Sequence, residues 1–211
     1  MNETTDASIQ AMIAAERGEM ADLLAALPAD LWNRQTLCEG WRVREVIAHT
    51  TMPYRYSTPR IVLGIVMAGG NFNRFSDRAA RRDAEAVASD RLVSCLRENV
   101  HHPWKPPGGG FAGALSHDVI HGLDITVGLG LDRQVPLERL QLVLDGVTPK
   151  NLKYFGVDLD GVELRATDLD FTLGSGSPVT GSAQDVLLAV SGRKLPPGHL
   201  HGVQAHRFTR S

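Results

Sequence analysis

Cysteine is nearly absent from this chain, which carries two, Cys38 and Cys95, in 211 residues. Two thiols without Cys-x-x-Cys spacing argue against a disulfide framework and a cysteine-built structural metal site, so both are expected to be reduced. A long apolar run is also missing. The best, Ile61 to Ala68, is interrupted by Gly64 and falls well short of the ~20 residues that span a bilayer. No charge sign dominates: 22 basic and 24 acidic residues leave a formal charge of −2, with no long block of either. This balance excludes a nucleic-acid tail and a polybasic membrane anchor, leaving a small-molecule or protein partner. Met1 to Asp6 lacks the basic start and apolar core of a secretory signal, so a cytoplasmic location is expected.

The chain is 43% hydrophobic and 22% charged, enough to bury a sizeable core in one large domain or in a medium and a small one. Ile9, Met12, Ile13, Met20, Leu23, Leu24 and Leu27 recur at helical spacing up to Pro28, predicting a first helix from about 7 to 27. A second starts near Val43, with kinks or breaks expected at Pro53 and Pro59. Ser76-Asp77 reads as the N-cap of a third helix reaching roughly Val100. The loop from His101 to Gly110 leads into a fourth helix, and Pro136 to about Phe155 gives one more helical pattern. Beyond it the period changes to two over Val162–Ala166 and Leu169–Leu173. Ser182 then caps a helix over 183–192, and 199–208 is expected to close as a last strand. The expected fold is mainly α, a four-helix bundle over residues 1–157 with a small C-terminal α/β domain over 158–211.

Two histidines, His117 and His121, stand one turn apart on the fourth helix, and His49 lies on the second. Residues at i and i+4 share a helix face, so two helices can aim three imidazoles at one metal ion. Three histidines with no fourth protein ligand suit a catalytic site with an open position, and zinc, nickel and iron all accept imidazole. Ordinary helix histidines, exposed or satisfied in the core, account for the same spacing. Asp124, three residues beyond His121, is placed to orient that ring, and a surface salt bridge explains it equally well. Arg193 has the forked donor that grips a carboxylate on a cofactor or substrate, and a favourable charge at a helix C-terminus is its plainer account. Asp118 gives His117-Asp118-x-x-His121 a superficial likeness to zinc-protease motifs. Gly108 to Gly113 reads as a hinge loop rather than a dinucleotide site, and Trp104 with His101 and His102 falls where it can line the mouth of the site.

Cys38-Glu39-Gly40-Trp41-Arg42-Val43-Arg44-Glu45-Val46-Ile47-Ala48-His49 resembles the C-x-G-W-x-V-[RK]-[DE]-V-x-A-H segment of the mycothiol-dependent maleylpyruvate isomerase family, within the DinB-like superfamily. Val119 to Ile125 resembles its x-x-H-G-x-D helix, and Gly181 to Arg193 its L-x-L-x-L-x-G-R helix. The resemblance implies a DinB-like four-helix bundle with a small α/β appendage, and a divalent metal held by His49, residue 117 and His121. It further implies mycothiol or a similar small thiol as cofactor, joined to a small electrophilic substrate in a transferase or isomerase reaction. Where the isomerases carry glutamate this chain has His117, as three-histidine DinB-like proteins do. A neutral ligand raises the formal charge of a divalent site from about +1 to +2. Hydrolysis by metal-activated water and a non-catalytic binding or regulatory module are the alternatives, and either a monomer or a homodimer is compatible with the sequence.

Overall fold

The computed structural model describes residues 5–210. The chain separates into two compact units, Met1–His121 and Gly122–Ser211.

The first unit is helical. Helix α1 (Asp6–Ala25) is capped by Thr5, whose side chain accepts from the Ser8 amide, and buries Ile9, Ile13, Arg17, Met20 and Leu24 along one face. A 3-10 turn (Ala29–Asn33) leads to α2 (Val43–Thr50), α3 (Met52–Arg55) and α4 (Thr58–Met67). Both α3 and α4 carry proline in their first turn, so Pro53 and Pro59 break the second helical stretch as expected. The expected helix over 76–100 is two: α5 (Phe72–Ala86), capped by Asn71, and α6 (Ser89–Glu98). Neither glycine nor proline marks the break. Instead α5 packs on α2 and α4 while α6 packs on α1, and the extended Val87-Ala88 step lets one amphipathic pattern serve two neighbours. Helix α4 turns Ile61 and Ile65 onto Met52, Tyr56 and Phe75, leaving Val62, Leu63, Val66 and Met67 exposed. Helix α7 (Gly110–Leu129) brings the fourth helical stretch.

The second unit holds α8 (Leu137–Asp145) and α9 (Pro149–Phe155) in place of the single pattern over 136–155. Gly146 ends the first, and Thr148 caps the second by accepting from the Asn151 amide ahead of Pro149. Three short strands follow, β1 (Val162–Ala166), β2 (Thr172–Gly174) and β3 (Ser177–Gly181). They run in the order β2-β1-β3, with β1 antiparallel to β2 and parallel to β3. Gly176, at φ 133°, is required where the chain crosses Gly161, because a side chain there would meet the Gly161 carbonyl at 2.3 Å. Helix α10 (Ala183–Val190) is capped by Ser182, buried along its whole length, and packed on α8 and β1. The expected strand over 199–208 does not form. Single bridges join Thr180 to His201 and Leu195 to Thr209, and between them Gly202, at φ 131°, turns the chain into a 3-10 turn at Ala205–Phe208.

The fold is thus mainly α, a helical bundle followed by a small α/β part. Among the described residues no helix is long and apolar enough to cross a membrane. Cys38 and Cys95 are both free thiols.

Candidate metal centre

Helix α2 starts at a tightly held N-terminus. The Glu45 carboxylate accepts the Arg42 amide at 2.8 Å and pairs with the Arg42 guanidinium, so this acid caps its own helix. The apolar face of Val43, Val46 and Ile47 is fully buried, which fixes the roll of the helix and turns His49, in the last turn, inward. Trp41, just before α2, donates its indole N–H to Asp77 at 2.8 Å. Its ring lies 5.0 Å from that of His49 and 6.2 Å from that of His121, centre to centre.

The three histidine rings form a near-equilateral triangle. Centroid separations are 5.1 Å for His49 to His117, 5.0 Å for His49 to His121 and 4.9 Å for His117 to His121. One nitrogen from each lies within 4.8 Å of the others, and the Nε2 atoms of His49 and His117 are 3.1 Å apart. Tetrahedral zinc with Zn–N bonds of ~2.05 Å holds its nitrogens about 3.3 Å from one another, so the cluster has a metal site's dimensions.

The outward nitrogens are held as well. His49 Nδ1 is 2.9 Å from the hydroxyl of Ser76, itself buried on α5. His117 Nδ1 donates to Asp118 Oδ1 at 2.9 Å, and Asp118 Oδ2 accepts from Arg17 Nε at 2.7 Å. Arg17 is buried to 1% exposure and also donates to the His102 carbonyl at 2.8 Å. This chain of bonds fixes the His117 tautomer with its Nε2 lone pair facing His49, as ligating histidines require. Burial pushes Asp118 up, but the hydrogen bond and charge of His117 and the Arg17 guanidinium hold it below the usual carboxylate range. His49 lies well below the ordinary histidine value because burial, then the His121 and His117 rings, disfavour its charge. Its ring is neutral at pH 7, and a neutral imidazole is what a metal binds.

Trp104 packs edge-on against His117 at 5.1 Å. Its amide donates to His102 Nδ1 at 3.1 Å, and the His102 ring lies 5.0 Å from Tyr54. The loop that feeds α7 therefore walls the cluster through Trp104, while His102 braces Arg17 through its carbonyl. In the second unit, Asp124 is fully buried and its two oxygens accept from Arg193 Nε and Nη2, each at 2.8 Å. The Arg193 fork is thus taken up by a carboxylate of its own chain.

Three supporting residues went unread in the sequence. Ser76, expected as a helix cap, sits inside α5 and meets His49; Asp118, noted only for a superficial likeness to a protease motif, orients His117; Arg17 was assigned no role. The signal for two of them was present. Arg17 continues the Ile9, Ile13, Met20 face, and Ser76 continues the Ala79, Ala80 face, so each is a polar residue placed where a core side chain belongs.

The profile of the mycothiol maleylpyruvate isomerase N-terminal domain matches residues 13–125, the stretch that carries all three histidines. No curated protein matches the sequence. Among solved structures, the crystal structure of the mycothiol-dependent maleylpyruvate isomerase superposes with a TM-score of 0.64 at 13% identity, covering 95% of this chain and 94% of the other. A histidine-to-alanine mutant of that isomerase superposes with a TM-score of 0.65 at the same identity and coverage. Likeness at that identity is likeness of fold.

Proposed function

The chain belongs to the mycothiol maleylpyruvate isomerase N-terminal domain family, and from that premise we propose that it is a metal-dependent enzyme using a small thiol such as mycothiol on a small electrophilic substrate, by thiol transfer or isomerisation. His49, His117 and His121 are the ligands in this reading, and zinc is the ion best suited to them. The observation that carries it is the convergence of three imidazoles with one nitrogen each within 4.8 Å of the others, those of His49 and His117 being 3.1 Å apart, while the outward nitrogens of His49 and His117 are engaged by Ser76 and Asp118.

A divalent cation held there supplies Lewis acidity, enough to turn a thiol of ordinary pKa near ~8.5 into a thiolate at neutral pH. The chain's own residues do the rest. Three neutral ligands leave the ion's charge uncompensated at the ligand atoms, and the Asp118 carboxylate behind His117 is already shared between that ring and Arg17. Trp41 and Trp104 flank the cluster with apolar rings, which limits water around it and strengthens every charge interaction inside. Three protein ligands leave a coordination position for the thiol.

Turnover of maleylpyruvate by the metal-loaded protein, with and without mycothiol, tests this. Turnover that requires the thiol supports the reading. Turnover of an ester or epoxide that ignores the thiol would transfer the protein to the hydrolases, and metal binding with no turnover of any kind would leave a binding module.

A further inference from the structure

Among the described residues eight large apolar side chains are exposed, and five of them fall within eleven positions: Val62, Leu63, Val66 and Met67 on α4 and Phe72 at the start of α5. The other three, Leu137, Tyr154 and Val203, are scattered singly and need no explanation. A contiguous group does need one.

Helix α4 is apolar on both sides. Ile61 and Ile65 turn onto the cluster around Phe75, and Gly64 comes so close that a Cβ there would lie 2.2 Å from the Phe75 ring. One side of α4 is thereby spent on α5. With 3.6 residues per turn, Val62, Leu63, Val66 and Met67 share the opposite arc, where Leu63, Val66 and Met67 stand 60%, 67% and 75% exposed. Phe72 extends the same surface, its ring 6.3 Å from that of Phe75. From Ile61 to Asn73 the sequence holds no charged residue.

These properties select among occupants. A convex ridge cannot enclose a small molecule, which takes a concave site. Thirteen uncharged residues offer nothing to an acidic peptide, and the flanking arginines are drawn aside: the Arg60 guanidinium lies 3.8 Å over the Tyr56 ring, and Arg74 lies beside Gly69. An interfacial membrane helix carries a basic face opposite its apolar one, whereas here that face is packed on α5. The area fits a second copy of the chain. Five side chains of this size at these exposures present roughly 500 Å2, so two copies bring about 1,000 Å2, the size a specific interface must clear. The exposed rim of Pro59, Gly69, Gly70 and Asn73 carries the total beyond that.

We propose that α4 and the start of α5 form a homodimer interface, with α4 crossing the same helix of a second copy about a two-fold axis. In such an isologous contact each patch meets its own copy, so apolar faces apolar throughout. A crossing near −50°, centred on Leu63 and Val66, lets the helix ends diverge and keeps Arg60 and Arg74 of the two copies apart. The interface stands independently of the metal-centre reading.

Sedimentation equilibrium of the full chain over about 1–100 μM, the range in which an interface of this size dissociates, tests it. A mass rising with concentration from 22.9 kDa to twice that value is expected. The double substitution Leu63→Glu, Val66→Glu brings four like charges to the axis and should weaken the dimer by at least about 100-fold, with helical signal unchanged because both positions are exposed. Val203→Glu, equally exposed but outside the patch, should leave the dimer intact. A parent chain that stays monomeric throughout, whether or not it sediments with phosphatidylglycerol vesicles, would overturn the proposal. So would a dimer that persists in the double variant.

Discussion

Ser76 and Asp77 are neighbours on α5 that reach two different parts of the histidine cluster, one holding His49 and the other the Trp41 indole. A local reading of Ser-Asp as a helix cap misses both, because Asn71 already caps α5 by accepting the Arg74 amide at 2.9 Å. The ligand candidates themselves were legible. His117 and His121 share a face through the helical period alone, and His49 falls on the apolar rhythm of α2. The groups that orient them come from α1, α5 and the neighbouring Asp118, and which helices meet cannot be read from spacing. Residues in this supporting role typically alter metal affinity by 10- to 100-fold. Ser76→Ala is accordingly expected to weaken metal binding by about that factor with little change in melting temperature, as competition against a chelator would measure.

Among the elements, α3 and α5 are clamped by a buried charge. Asp83 accepts from Arg55 at 2.5 Å and from the Tyr56 hydroxyl at 2.9 Å, and Arg82 adds its guanidinium. Burial pushes the Asp83 carboxyl up, but the hydrogen bonds from Arg55, Tyr56 and Arg82 and the charge of Arg55 outweigh it, leaving the group below its ordinary 3.8. A folded value below the unfolded one stabilises the protein at pH above that ordinary value and is lost as pH falls through the folded value. Asp83→Asn should therefore lower the urea midpoint at pH 7, and the gap to the parent protein should close as the pH is taken well below 4. A gap that persisted in acid would mean that packing, not charge, sets the cost. The neighbouring contact between α4 and α5 depends on a missing side chain: a Cβ on Gly64 would lie 2.2 Å from the Phe75 ring. Gly64→Ala is expected to destabilise the first unit by about 1–3 kcal/mol through overpacking, against the modest gain that alanine brings to a helix elsewhere. Equilibrium unfolding would register it.

For the whole molecule, the helical and strand periods delivered the class of fold, and the breaks they missed have physical causes. The split between α5 and α6 follows from two packing partners, the one between α8 and α9 from Gly146 and Pro149, and the absent last strand from Gly202. The change of period near residue 158 marks where strands begin, whereas the two compact units divide after His121, within α7. Periodicity reports the local backbone, and compact units report which distant segments meet. The three histidines all belong to the first unit, so the candidate centre rests on α2 and α7 with support from α1 and α5.

The central claim is that His49, His117 and His121 hold one divalent ion with a position open to a thiol. Cobalt titration of the parent protein and of His121→Ala, read by visible absorption before and after adding mycothiol, addresses it directly. The account predicts about one cobalt per chain in the parent, a sulfur-to-metal charge-transfer band when the thiol is added, and neither in the variant. A parent protein that takes up no metal, or a variant that keeps full stoichiometry, would contradict it.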